Sequence, residues 1–209
     1  MGARRIAVGL ATILALVGCD AGAGGADDTA TATTDGATTE TAATPVATGT
    51  AAESGDEPAL DGVPFLEPGE VSATEPATGA PLTVTNVRLG QHDGYDRAVF
   101  DIAGDGTPGW DARYVDEAVE DATGRVIDLE GDGTIQVILT GMGYPTDTGF
   151  EEWTGRQVAT EGYPQLWELR FVGTFEGQTQ AFLGVSGAGA AFRVFALADP
   201  VRVVVDVRH

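Results

Sequence analysis

The chain has 209 residues and a formal net charge of -21, from 32 acidic and 11 basic residues, every basic one an Arg. A charge of that size argues against a nucleic-acid backbone or an anionic bilayer face as partner, because phosphates are repelled rather than neutralised; it suits a soluble exterior domain and the binding of cationic groups. The length allows one ordinary domain plus extra chain, and a single cysteine excludes an intramolecular disulfide, so any folded part must rest on its own hydrophobic core.

Arg4 and Arg5 form a positive start, followed by an apolar run from Ile6 to Val17. As a helix that run covers roughly 18 Å, too short for a hydrocarbon core of about 30 Å. It has the length of a signal peptide. Leu16-Val17-Gly18-Cys19 resembles a lipobox, with small Gly18 before the bond to be cut and the Cys19 thiol placed to receive a diacylglycerol thioether. That resemblance implies lipidation at Cys19, membrane attachment through the lipid and an extracytoplasmic location. Residues 1–18 are read as a lipoprotein signal peptide and 19–81 as a lipidated cysteine with an acidic, Ala/Thr/Gly-rich tether. The tether carries twelve acids and no base, a composition that cannot offset the entropy of ordering, so disorder is expected. Within it, Val63 to Leu66 reads either as a short arm packed on the domain or as more tether.

From Leu82 the texture changes to short apolar runs broken by Gly, Pro and Asp, which marks residues 82–209 as the folded domain. Asp96 to Ile102 alternates, with Ala98, Phe100 and Ile102 on one face and Arg97, Val99 and Asp101 on the other. Ile135 to Thr140, Phe192 to Leu197 and Val201 to Arg208 alternate likewise, the last two joined across an Asp199-Pro200 turn. Period two in β-branched and aromatic residues predicts strands, and further strands are expected at 82–89, 111–115, 166–175 and 179–185. Residues 116–121 offer at most one short turn. The fold class expected is all-β, a sandwich or small barrel of roughly seven to nine strands. The segment 141–164 is long for a compact domain and holds Tyr144 and Trp153. It reads either as a binding loop or as a packed lid over the sandwich end.

Val87-Arg88, the run His92 to Phe100, Phe175-Glu176-Gly177, Phe192-Arg193-Val194-Phe195 and the closing Pro200-Val201-Arg202-Val203-Val204-Val205-Asp206-Val207 together resemble the AMIN-like domain of actinobacterial lipoproteins. The resemblance covers 82–209, and the closing segment is also similar to the AMIN domain of cell-wall amidases. It implies a β-sandwich serving as a non-catalytic cell-envelope module that binds peptidoglycan or another glycan. The alternative is a protein-interaction or scaffold subunit of an envelope complex.

Catalytic chemistry finds few candidates. Ser186 in Gly184-Val185-Ser186-Gly187-Ala188 lacks the second glycine of a nucleophile elbow. His92 and His209 are too few for a zinc site, and no cofactor is called for. Gly104-Asp105-Gly106 and its echo Gly131-Asp132-Gly133 read as tight turns rather than calcium loops. The best binding candidate is His92, Asp93, Tyr95, Asp96 and Arg97, joined by Arg88, Arg202 and Asp206 if their strands are neighbours, with Tyr144 and Trp153 on the long loop. Arg and Asp there can meet wall carboxylates, amides and hydroxyls, or can pair internally to close the sandwich.

Overall fold

The computed structural model describes residues 62–76, 79, 81–158 and 160–209. Among these the elements are β1 (Ser72–Thr74), β2 (Thr83–His92), β3 (Tyr95–Ala103), β4 (Gly109–Val115), β5 (Ala118–Val119), β6 (Val126–Ile127), β7 (Gly133–Thr140), α1 (Pro145–Thr148), β8 (Gln157–Val158), β9 (Leu166–Phe175), β10 (Gln178–Val185), β11 (Phe192–Leu197) and β12 (Arg202–Arg208). The expected all-β class holds. Eight of the strands have six or more residues, and α1 is a single turn opened by Pro145. The small-barrel alternative does not hold, because the strands form open sheets with edges.

One sheet runs β11-β12-β3-β2 and the other β1-β4-β7-β10-β9-β8, all neighbours antiparallel, with β5 and β6 making a separate ribbon. The alternation seen in the sequence fills the space between the two sheets. Ala98, Phe100 and Ile102 from β3 and Val203, Val205 and Val207 from β12 meet Ile135, Val137 and Leu139 from β7 and Ala181, Leu183 and Val185 from β10 in one buried cluster. Burying a side chain of this kind contributes about 1.5–3 kcal/mol, so this layer supplies the core that the absence of a disulfide demands.

The outer face of the larger sheet is covered by residues 116–132. Gln180 Nε2 donates to Val119 O at 2.9 Å, Asp121 N donates to Gln180 Oε1 at 3.0 Å, and Glu130 N donates to Glu168 Oε2 at 3.0 Å. The covering segment passes so close that a Cβ at Gly184 would lie 1.8 Å from Glu130 O, which requires glycine there. Phe182, on the same face as Gln180 and Gly184, is fully buried beneath.

The expectation of a tether through residue 81 is corrected for 62–76, which fold with the domain. Leu66 N donates to Phe192 O at 2.7 Å and Phe192 N donates back to Leu66 O at 3.1 Å, so Val63 to Leu66 lies along β11 as an arm. Further on, β1 adds to the edge of β4 in the register Ser72↔Ala112, and Trp110 Nε1 donates to Ser72 Oγ at 3.0 Å. The physical reason is that an open sheet edge offers backbone donors and acceptors to any extended segment, whatever its hydrophobicity. The segments expected to be a signal peptide, the lipidated Cys19 and the rest of the tether lie almost wholly outside the described residues.

Candidate functional site

Period two dictates the outer face of the four-stranded sheet as firmly as it dictates the inner one. The register Arg193↔Asp206↔Arg97 places these three side chains in one row across β11, β12 and β3. The next row is Phe195↔Val204↔Val99 with Arg88, followed by Leu197↔Arg202↔Asp101. At the opposite end Arg208 pairs with Tyr95, which pairs with His92. Val99, Val204, Phe195 and Leu197 form a second buried cluster, with Val63 of the arm packed against it.

Within the first row, Arg97 makes a two-pronged contact with Asp206: Nε to Oδ1 at 2.6 Å and Nη2 to Oδ2 at 3.0 Å. Arg193 Nε donates to the same Oδ2 at 2.8 Å. The carboxylate is fully buried and Arg97 is 4% exposed. One carboxylate between two guanidiniums, satisfied on both oxygens, is how buried charge is tolerated. Aromatic rings then line the guanidiniums. Tyr95 has Arg97 at 5.3 Å and Arg193 at 5.3 Å, and stacks on His92 at 4.8 Å with 12° between the planes. Phe65 from the arm lies under Arg193 at 4.6 Å and Arg208 at 4.2 Å, separations suited to cation–π attraction. Arg88 of the second row reaches Asp101 of the third through Nε at 3.1 Å and Nη2 at 3.3 Å.

A family model for the AMIN-like domain matches residues 82–209, which is all of the described fold except the arm and β1. The chain belongs to the AMIN-like family. Comparison with curated proteins returns no match.

The AMIN-like domain brings most of the candidates named from sequence to one sheet but gives them different surroundings. Arg88, His92, Tyr95, Arg97, Arg202 and Asp206 share the outer face, while Asp93 sits exposed on the β2–β3 turn, where Gly94 takes φ 89°. As direct ligand contacts, Arg97 and Asp206 are corrected: each is buried and held by the other. Asp96 is corrected too, because alternation turns it inward. Its carboxylate accepts from Gln165 N at 2.6 Å and Leu166 N at 3.0 Å and lies 2.9 Å from His209 Nε2, tying β3 to the start of β9 and to the last residue. Burial, and then the Asp96 charge, raises the pKa of nearby Tyr163 above the ordinary tyrosine value.

The long segment 141–164 is a packed lid in its second half. Trp153 N donates to Val84 O at 2.9 Å, and the indole meets Phe171 edge-on at 5.2 Å, so Trp153 belongs to the core rather than to a binding surface. Tyr144 stays exposed, its Oη accepting from Glu176 N at 3.2 Å in the β9–β10 turn. Asp132 is likewise a turn residue, accepting from Gly187 N at 3.0 Å.

Sequence reasoning missed Phe65, Arg193 and Arg208 as parts of this face. For the two arginines the signal was present: a hairpin closed symmetrically about the Asp199-Pro200 turn sets Arg193 opposite Asp206, and alternation puts Arg208, two residues on from Asp206, on the same side. For Phe65 there was none, since nothing local says which edge an arm will choose. Elsewhere, a recess of about 840 Å³ opens beside the β5–β6 ribbon, and its charged lining is Asp116, Glu117, Asp128 and Asp132. Tyr114 at its rim is pushed up to about 12 by burial, and its hydroxyl donates to Ala190 O at 2.7 Å.

Proposed function

We propose that this chain is a lipid-anchored extracytoplasmic protein whose AMIN-like domain is a non-catalytic module binding the peptidoglycan of the cell envelope. The reading rests above all on the family match, which spans the sandwich from its first core strand to its last residue. AMIN-like domains are of the non-catalytic, binding type. The anchor reading rests on the apolar run before Leu16-Val17-Gly18-Cys19 and on the use of the sole cysteine at that position. On a lipid carrying two or three acyl chains, attachment is stable, whereas one chain alone is marginal.

The folded chemistry is consistent with binding rather than turnover. The buried charges of the outer face are saturated by one another and by rings, which gives a rigid platform, and rigid platforms present contacts at low entropic cost. The test is sedimentation of the full chain, held in mild detergent, with purified insoluble peptidoglycan. Saturable pelleting is the expected result. No pelleting at any wall concentration would remove the peptidoglycan reading and direct attention to an envelope protein as partner. Separately, Cys19→Ala is expected to shift the chain from the membrane to the soluble fraction of cells, and unchanged membrane recovery would refute the anchor.

A further inference from the structure

Charge is segregated on this domain in a way its overall acidity hides. The outer face of the β11-β12-β3-β2 sheet carries five arginines against two carboxylates, a net +3, while the rest of residues 82–209 carries four arginines against eighteen carboxylates, a net -14. Three of those four remaining arginines are tied to acids at their own surface: Arg113 to Asp111, Arg125 to Glu120 and Arg170 to Glu168. One sheet face is therefore the basic side of an acidic protein.

The accessible part of that face is its two ends. Arg208 is exposed beside Phe65, Arg202 is partly exposed at the β11–β12 turn, and the Arg88 side chain is 31% exposed beside Asp101. From the Arg202 row to the Arg208 row is six residues of strand, roughly 20 Å. Guanidinium groups spaced over that length, with N–H donors beyond those Arg88 gives to Asp101 and Arg202 gives to Pro200 O, match carboxylates repeated along a polymer better than a single small ligand.

We infer that this face is the wall-contacting surface and that Arg88, Arg202 and Arg208 bind the free carboxylates of peptidoglycan stem peptides. The inference rests on the wall-binding reading above and names its site and chemical group. An anionic bilayer is the poorer occupant. The face offers no apolar wedge: Val99, Phe195, Leu197 and Val204 are buried, and Phe65 is half-buried against Arg193 and Arg208.

The experiment compares three full-length proteins: wild type, Arg88→Gln with Arg202→Gln and Arg208→Gln, and a control with Arg113→Gln, Arg125→Gln and Arg156→Gln. Both variants lower the charge by three, and thermal melts check that both stay folded. Each is pelleted with peptidoglycan, with peptidoglycan whose carboxylates have been amidated, and with phosphatidylglycerol vesicles. A loss of tenfold or more for the face variant, with less than threefold for the control, and a matching loss for wild type on amidated wall, is expected. Wild-type pelleting that both variants retain, or lose equally, overturns the face while leaving wall binding intact. Undiminished binding to amidated wall, or binding to vesicles as tight as to wall, overturns the carboxylate assignment. Absence of wild-type pelleting overturns the wall reading and this inference with it.

Discussion

Asp206→Asn is the substitution that most directly tests the account of the outer face. The carboxylate is fully buried and takes charge-assisted contacts at 2.6 and 3.0 Å from Arg97 and, through both Nε and Nη2, at 2.8 Å from Arg193. An amide of the same shape keeps one acceptor, removes the negative charge and turns an N–H₂ donor toward a guanidinium that is also only a donor. Breaking a buried pair in this way costs about 3–5 kcal/mol, because a charge is left in low dielectric without compensation. For a domain of this size that corresponds to a fall in Tm of roughly 10–25 °C. Asp101→Asn serves as the internal standard. Its pair with Arg88 is partly exposed, with side-chain exposures of 31% and 23%, so its loss is expected to cost no more than about 1 kcal/mol. Urea unfolding followed by near-ultraviolet circular dichroism gives both values on one scale. A cost for Asp206→Asn below about 1 kcal/mol, or one equal to that of Asp101→Asn, would refute the claim that this row is buried and internally compensated.

Asp96→Ala strips the acceptor from the Gln165 and Leu166 amides and is expected to cost about 2–4 kcal/mol in urea, while His209→Ala, which removes one partner of the same carboxylate, costs about 1 kcal/mol. Trp153→Ala leaves a hole against Phe171 and is expected to cost about 3 kcal/mol, with faster hydrogen exchange across residues 144–153 than in β3; unchanged exchange there would count against a packed lid. Tyr114 titrates at about 12 in the folded chain against 10 when free, so the unfolded state gives up its proton first. Stability is therefore full below pH 10 and falls between pH 10 and about 12. The drop is about 1 kcal/mol once half-exposure is allowed for, and Tyr114→Phe flattens most of that slope, leaving the part owed to Tyr163.

Much of the fold was legible because period two is a local property. The two faces of Asp96 to Ile102 and of Val201 to Arg208 were assigned from spacing alone, and the sandwich uses them as assigned. What spacing cannot say is which strand lies beside which. That Arg97 meets Asp206 across 109 positions, rather than a solvent-facing ligand, depends on β12 pairing with β3, a tertiary fact. Short strands such as Gln157–Val158 and Ser72–Thr74 were missed because they owe their order to the edge they join and carry no apolar pattern of their own. Trp153 illustrates the reverse case. An aromatic residue on a long segment reads equally as lid or as contact until its neighbour, Phe171, is known.

The same separation of local from tertiary information explains how an acidic domain can present a basic surface. Composition reports only the sum, and a sum of -21 argues against an anionic partner at distances beyond the protein. At physiological ionic strength, however, charges interact over about 8 Å, less than half of the roughly 20 Å that the arginine rows span. A polymer resting on that face is governed by the guanidiniums beneath it, and the carboxylates on the far sheet are screened. The buried Arg97–Asp206–Arg193 row then has a definite part. It fixes the strand register that holds Arg202 and Arg208 on one side, and it does so with groups that no ligand needs to touch. Net charge therefore sets what the whole molecule avoids at long range, whereas strand pairing sets what one face can bind on contact.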